Sequence, residues 1–232
     1  MRLSRQALEL SEELTHPFSR TIALAYDAML QQFLGDVEAV AAQAAALLEL
    51  SARQGFPYYH AWGTILEGWA IGVRHDADRG VARLRDGLAA MRATGAHVRR
   101  SYYLSLLAEL STRTGEVEPG LALLDEALRF AQETGEHWKD AELHRLRGEL
   151  LLARPADEHE AEDAFRRAAE IARRQDARLL ELRAAVSLGR LLQRRQRRAE
   201  AREMLAEARA WFTEGFGTAD LRQADALLGE LS

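Results

Sequence analysis

The sequence predicts an all-α fold, a right-handed solenoid of about five antiparallel helix pairs with a C-terminal capping helix. Three observations lead to this prediction. The 232 residues are 47% hydrophobic and 29% charged, as in folded globular proteins. The chain holds four prolines and almost no alternation of Val and Ile with polar residues, so we expect no β-sheet. Helix-stop signals and small residues recur about every 40 residues, which is typical of a repeat array.

Glycines mark the ends of the predicted helices. They follow helix-length apolar segments in steps of 20 or its multiples, at Gly35, Gly55, Gly95, Gly115 and Gly135. Glycine is favoured directly after a helix because it adopts the left-handed conformation without a Cβ penalty. His75, beside Asp76, occupies the step that lacks a glycine. Pro17, Pro57 and Asp157 mark helix starts in the same rhythm.

Small residues form three columns at the same spacing. The first column, in the first helix of each pair, is Ala28, Gly68, Ala108, Gly148 and Gly189. The other two lie in the second helix, at Gly80, Gly120, Ala161 and Ala201 and at Gly87, Ala127, Ala168 and Ala208, and they hold in four of the five units, since the first unit has Val40 and Leu47 at these places. Small side chains let packed helices approach closely, so the columns predict where the helices touch.

We expect one repeat domain over residues 1–232. Its predicted segments are 1–15 as the second helix of a truncated repeat, repeats at 17–55, 57–95, 97–135, 137–175 and 177–215, and a capping helix at 217–232. Counting back 40 residues places Ala7 in the column of Leu47, so the chain is expected to begin inside a repeat.

The last segment is predicted to cover the open end of the stack, since a terminal repeat otherwise exposes its apolar face. Thr218 is placed to cap the helix and Asp220 lies in its first turn. The apolar side carries Leu221, Ala224, Leu227, Leu228 and Leu231. We expect Trp211, Phe212 and Phe216, around Gly215 and Gly217, to pack at the hinge before this helix.

Two stretches resemble the first helix of the tetratricopeptide repeat, "LHRLRGELLLA" (143–153) and "RAAVSLGRLLQ" (183–193). The unit of 40 residues is longer than the usual repeat of about 34, which implies longer helices. Residues 137–231, with "LHRLRGELLL", "AFRRAAEIARRQDARLLELRAAVSLGRLL" and "AWFTEGFGTADLRQADALLGEL", are similar to the C-terminal repeat region of bacterial multidomain signalling ATPases. Many of these also carry a class III adenylate/guanylate cyclase or DNA-binding domain. The resemblance implies a regulatory repeat module without their catalytic activity.

The sequence contains no recognisable reaction centre. It has no phosphate-binding loop motif, no His-Glu-x-x-His and no cysteine, so we expect no catalytic residue, no metal and no cofactor. His137 and His144 lie seven residues apart on one helix face, but zinc usually needs three or four ligands. The acidic run 157–163 lacks the pattern of a calcium loop and fits a helix start.

The basic cluster 189–202 supplies six arginines, which would suit a phosphate or nucleic-acid patch. Glu200 and Glu203 lie within a turn of it and no aromatic residue interleaves for base stacking. We therefore expect a solvated turn. The net charge of −5 also argues against nucleic-acid or anionic-membrane partners.

The first helix of each pair lines the concave surface in the fold that this sequence resembles. Transferring that rule predicts a partner-binding groove of Ile22, Met29, Phe33, Trp62, Ile65, Trp69, Tyr102, Glu109, Arg145, Glu149 and Arg190. The groove would change from aromatic to charged along its length. Partly exposed Trp62 and Trp69 would suit a binding hot spot, although both could equally pack between neighbouring helices.

The leading hypothesis is a non-catalytic scaffold that binds a peptide, a protein or a small effector, in a bacterial and cytoplasmic signalling protein. The expected partners include the ATPase or cyclase domains of a parent chain. The alternative is homodimerisation through the open N-terminal face, which includes Leu3, Leu8, Leu10 and Leu14. No run of about 18 apolar residues occurs, so no membrane span is expected.

Overall fold

The computed structural model describes residues 2–232 and consists of helices joined by short turns. The helices are α1 (Arg2–Glu13), α2 (Pro17–Leu34), α3 (Val37–Gln54), α4 (Pro57–Arg74), α5 (Ala77–Ala93), α6 (Arg100–Thr114), α7 (Val117–Thr134), α8 (Asp140–Leu151), α9 (Glu158–Arg174), α10 (Arg178–Arg194), α11 (Arg198–Ala210) and α12 (Ala219–Glu230). Single 3₁₀ turns precede α8 and α9, at His137–Lys139 and Pro155–Asp157. No strand occurs in the described part, and the predicted all-α solenoid of helix pairs is confirmed.

The helix ends follow the glycine rhythm. Positive φ angles of 67–77° occur at Gly35, Gly55, Gly95, Gly115, Gly135 and Gly215. The amide of Gly35 donates to the carbonyl of Gln32, so the left-handed residue satisfies a terminal carbonyl of α2. His75 ends α4 without this device, since its φ is −149°. No helix among residues 2–232 is both long and apolar enough to cross a membrane.

The chain divides into two compact units, residues 1–98 and 99–232. The single-domain assignment and its repeat boundaries stay predictions.

In unit 1, α2 to α5 form two helix pairs, and α4 also packs on α2. The contact between α4 and α5 is especially close. A Cβ atom added to Gly80 would lie 2.4 Å from the Cα of Gly72, and one added to Gly68 would lie 2.6 Å from the backbone nitrogen of Leu84. Glycine is needed here because backbone meets backbone.

Helix α1 packs on α2 through one side only. Ser11 is its buried residue, and the hydroxyl of Ser4 donates to the buried carboxylate of Asp27 on α2. Leu8 is partly buried, whereas Leu3, Leu10 and Leu14 are exposed. Of the four leucines predicted to form an open face at the N-terminal end, three are therefore exposed and one is partly buried.

In unit 2, the first helices α6, α8, α10 and α12 pack on one another in series, and α7, α9 and α11 pack beside them. The columns are again tight: a Cβ atom on Gly148 would lie 2.5 Å from the ring of Phe165, which is fully buried. Helix α12 closes this core with buried Leu221, Ala224 and Leu227 and partly buried Leu228, and Leu231 directly after the helix is buried in the same core.

The segment before α12 differs from its prediction. Phe212 packs partly buried against the core, but Trp211 and Phe216 are exposed. The guanidinium of Arg178 lies 3.6 Å from the centre of the Trp211 ring, and that of Arg209 lies 5.0 Å from that of Phe216. The prediction that Trp211 and Phe216 pack at the hinge before α12 is wrong, because cation–π contacts hold both rings at the surface. Thr218 occupies the N-cap of α12 but makes no side-chain capping bond.

Candidate functional site on the first helices of unit 2

A row of ion-paired side chains, together with one serine, runs across α8, α10 and α12 of unit 2. We name it the charged row. It consists of Glu142, Arg145 and Glu149 on α8, Arg183 and Ser187 on α10, and Asp220 on α12. The α8 members are spaced i, i+3 and i+7 and the α10 members i and i+4, so each set shares one helix face. Because α8, α10 and α12 pack in series, the faces form one surface.

On α8, Arg145 is held by carboxylates on both sides. It donates two hydrogen bonds to Glu142, of 2.7 and 3.1 Å, and one of 3.1 Å to Glu149. A two-pronged guanidinium–carboxylate pair has defined geometry, unlike a mobile surface ion pair. Glu142 is buried, while Glu149 keeps about a third of its side chain exposed (32%). The pair therefore presents a fixed carboxylate at the surface.

Three further hydrogen bonds tie the neighbouring helices to this surface. The hydroxyl of Ser187 on α10 donates to Glu149 over 2.6 Å. Arg183 on α10 makes two bonds of 2.9 Å each to Asp220 on α12. Asp220, predicted to complement the dipole of α12, therefore also links that helix to α10.

Lys139, directly before α8, is buried beside two aromatic rings. It is only 4% exposed, and its Nζ lies 5.3 Å from the ring centre of Tyr102 and 5.7 Å from that of Trp138. Burial lowers the pKa of Lys139 to about 8, against the opposing charges of Glu142 and Glu109. Trp138 is exposed and packs on buried Tyr102, with ring centres 5.7 Å apart.

The electrostatics of the row favour the ion pairs. Burial alone would raise the pKa of Glu142, but the charge and hydrogen bonds of Arg145, with the charges of Arg183 and Lys139, hold it well below its usual range. Burial alone would lower the pKa of Arg145, and Glu142 and Glu149 raise it instead. Both groups are thus ionised at neutral pH. The row therefore offers fixed hydrogen-bond donors and acceptors. Its residues do not include a nucleophile hydrogen-bonded to a general base.

The charged residues predicted for the groove lie on α6, α8 and α10 of this unit. Arg145 and Glu149 are bonded to each other, and Glu109 contributes to the electrostatic field at Arg145. Arg190 lies seven residues after Arg183, on the same face of α10. It is exposed and donates to Gln223 of α12 over 3.3 Å. Tyr102 is fully buried, so it supports the surface from below and is not exposed on it.

The predicted exposure of the aromatic half is wrong. Trp62 and Trp69 are 1% and 3% exposed, and Ile65 is fully buried. Trp62 packs against Tyr26, Tyr58 and Tyr59, with ring centres 5.2–6.3 Å apart. The sequence alone left a core role open, and these side chains take it because the glycine-rich α4 lies deep between its neighbours. The remaining predicted groove residues of this half are partly buried on α2: Ile22, Met29 and Phe33.

Sequence reasoning missed Lys139, Trp138 and Ser187. One signal was present, since Lys139 is the only lysine among 31 basic residues. Ser187 follows Arg183 by four residues, which is the spacing of a shared helix face. Its bond to Glu149 depends on the packing of two helices, and no local pattern encodes that.

The arginine-rich turn is ion-paired and not simply solvated. Arg195 bonds Glu158 over 3.0 Å and also reaches buried Glu162, which Arg197 bonds over 2.9 Å. Burial would raise the pKa of Glu162, but hydrogen bonds from Arg166 and Arg197 lower it. These arginines therefore connect α9 to the turn before α11.

His137 and His144 line a cleft of about 620 Å³ between α7, α8 and α9. Nδ1 of His137 lies 2.8 Å from Asp140, and burial lowers the pKa of His144, assisted by the charge of Arg167. Within residues 2–232 there is no group of three or more side chains that could hold a metal ion.

No family model matches the chain. Over 187 residues, which are 80% of this chain, the sequence is 30% identical to an uncharacterised protein of Rhizobium meliloti (strain 1021). The matched region is 18% of that relative, so the chain spans less than a fifth of its length.

Two solved structures share the fold. Bacillus thuringiensis PlcR, crystallised in complex with the peptide PapR7 and DNA, superposes with a TM-score of 0.74 at 16% identity, over 91% of this chain and 74% of that one. The TPR-like repeats of a Podosopora anserina kinesin light chain give a TM-score of 0.56 at 20% identity, over 84% of this chain and 95% of that one. The fold of the chain is thus that of tetratricopeptide-like repeat proteins.

Proposed function

We propose that this chain is a non-catalytic scaffold that binds a peptide segment of a protein partner along the charged row. The observation that carries the proposal is the partly exposed carboxylate of Glu149, fixed by Arg145 and Ser187 on two different helices. Exposed Arg190 and Trp138 extend the same surface with a cation and an aromatic ring. A peptide backbone and its polar side chains would find donors, acceptors and a stacking face there.

Preorganisation supports a binding role. The charged groups already hold their geometry through bonds between helices, so a ligand would not have to order long mobile side chains. PlcR, which shares the fold, was crystallised with a peptide. Arginine and tryptophan are also the residue types most enriched where binding energy concentrates.

The proposed context is a regulatory module of a larger cytoplasmic signalling protein of bacteria. The Rhizobium relative supports it, since the matched region is less than a fifth of that protein. The resemblance of residues 137–231 to the repeat region of signalling ATPases points the same way. In such a protein, the partner would be a neighbouring ATPase or cyclase domain.

A protein partner fits better than a nucleic acid. The chain carries a net charge of −5, and the arginines of the turn before α11 are engaged by Glu158, Glu162 and Glu200. Phosphate binding would have to break those pairs.

A library of 12-residue peptides displayed on phage provides the probe. The selected peptides, made synthetically, should slow amide hydrogen exchange in α8 and α10 and leave the outward second helices α9 and α11 unchanged. Protection confined to α9 and α11, or failure to select any saturable binder, would contradict the proposal.

Homodimerisation is a second candidate, and a specific observation favours it. Helix α1 exposes Leu3 and Leu10, at 74% and 55%, and Leu14 directly after the helix is 57% exposed. Sedimentation over a range of concentrations tests this candidate, because a dimer shifts with concentration and a strict monomer up to high micromolar excludes it.

A further inference from the structure

The first turns of α8 and α10 hold a carboxylate at the same repeat position. Asp140 and Glu181 are 41 residues apart, which is also the spacing of the small-residue column in these two helices. Nδ1 of His137 lies 2.8 Å from Oδ2 of Asp140. Arg178 donates to Oε2 of Glu181 over 2.9 Å, likewise from three residues earlier in the chain. The two carboxylates are therefore equivalent, and their surroundings can be compared directly.

The second oxygen differs between the two carboxylates. Oε1 of Glu181 accepts a 3.0 Å hydrogen bond from Nε of Arg173, at the end of α9. The residue 41 positions before Arg173 is Gln132, at the end of α7. Oδ1 of Asp140 is buried and has no hydrogen-bond partner within residues 2–232. A buried carboxylate oxygen without a donor is costly, so this place favours a donor that another molecule supplies.

The carboxylate borders a cleft in unit 2. Asp140 and Gln132 both line the space of about 620 Å³ between α7, α8 and α9. Its volume is typical of sites for small molecules. The side chain of Asp140 is partly exposed, so a ligand in the cleft can reach its carboxylate. The charged row is built from other residues of α8, and a ligand here would leave it uncovered.

The remaining charges of the cleft restrict the ligand further. Apart from Asp140, its charged side chains and their direct ion-pair partners are four arginines and two acids: Arg129, Arg147, Arg167, Arg174, Asp125 and Glu170. Burial lowers the pKa of His144 in the same cleft, and the positive charge of Arg167 lowers it further. Positive charge is thus in excess away from Asp140. A simple cation would be repelled there, whereas a ligand with an anionic group of its own would be attracted.

We infer that this cleft binds a small ligand that carries both a guanidinium group and a carboxylate, as arginine does. The guanidinium takes the place that Arg173 occupies beside Glu181 and donates to Oδ1 of Asp140, in the defined geometry of such pairs. The carboxylate of the ligand pairs with the arginines on the walls formed by α7 and α9. The cleft is then an effector site of the scaffold, separate from its peptide-binding surface.

Titration calorimetry with L-arginine, L-citrulline and agmatine tests the chemistry of the ligand. L-Citrulline lacks the cation and agmatine lacks the carboxylate, so each should bind at least about tenfold more weakly than L-arginine. The tripeptide Gly-Gly-Arg presents both groups at a chain end, and tighter binding than free L-arginine would identify the ligand as the C-terminus of a protein. Equal binding of L-citrulline, or no saturable binding of L-arginine, would overturn the inference.

Substitutions of Gln132 test the position of the guanidinium. Gln132→Arg places a guanidinium of the chain itself beside Asp140, so it should weaken L-arginine at least about tenfold and raise the urea midpoint of unfolding. Gln132→Ala should keep the affinity within about twofold, because the amide makes no bond to Asp140. Gln54→Arg, at an exposed position of α3, is the control and should change neither quantity. Unchanged affinity in Gln132→Arg, or an equal loss in Gln132→Ala, would overturn the inference.

Discussion

Ser187 on α10 donates a 2.6 Å hydrogen bond to the carboxylate of Glu149 on α8. The bond joins two first helices, and Arg145 donates to the same oxygen, Oε1, of this carboxylate. A serine and a glutamate 38 residues apart thus turn two helix faces into one surface. The stability of this surface depends on the close packing of α8 against α9 beneath it.

Gly148→Ala should destabilise the fold by about 1–3 kcal/mol, because the new Cβ would lie 2.5 Å from the buried ring of Phe165. Gly229→Ala is the matched control, since a Cβ there meets nothing within 4 Å. It should be neutral or stabilising by up to about 1 kcal/mol. Urea unfolding measures both, and equal midpoints would show that the small-residue columns do not set the helix contacts.

Trp62→Ala should cost about 3–5 kcal/mol of the free energy of unfolding, through the cavity it leaves. Trp69→Ala should behave alike. The exposed Trp211 supplies the control, because Trp211→Ala removes only its contact with Arg178, worth about 0.5–1 kcal/mol. If the three variants unfold at the same denaturant concentration, the two tryptophans of α4 are not core residues.

Glu142→Gln should destabilise the fold by about 3–5 kcal/mol at neutral pH, because it breaks a buried pair and leaves Arg145 undercompensated. Since the folded state lowers the pKa of Glu142, its contribution is present above about pH 4.3, the usual value for Glu, and is lost as the pH falls further. The difference in the free energy of unfolding between the wild type and Glu142→Gln should therefore become smaller at acid pH. Exposed Glu9→Gln provides the control, and a gap independent of pH would contradict the ion pair.

Lys139 should titrate near pH 8 in the folded state and near 10.4 when unfolded. Between these values the unfolded chain binds more protons, so the free energy of unfolding rises with pH. From pH 7.5 to 9.5 the wild type should gain about 1–3 kcal/mol relative to Lys139→Met. Because the chain has one lysine, a single side-chain NMR signal after reductive ¹³C-methylation reports the pKa. A midpoint above 10 would contradict its burial.

The helix pairs could be predicted from the sequence because their signals are local. Gly35 and Gly115 end helices by their own backbone preference, and Gly148 and Ala168 mark contacts by their size alone. The same register predicted that Arg145 and Glu149 share one face of α8, where they are hydrogen-bonded, but a groove that binds a partner stays a prediction. The exposure of Trp62 could not be predicted, because it depends on how deeply α4 lies among its neighbours. The link between Arg183 and Asp220 depends on the approach of α12, which no short-range pattern encodes.

The central claim, that a peptide binds along the charged row, is tested most directly by the dissociation constant of a selected 12-residue peptide. Trp138→Ala and Arg190→Ala change exposed side chains at the row, and Arg202→Ala changes an exposed arginine on the second helix α11. The account predicts that each of the first two weakens binding about 5- to 30-fold, equivalent to about 1–2 kcal/mol, while Arg202→Ala leaves it unchanged. Equal affinity of all three variants and the wild type would contradict it.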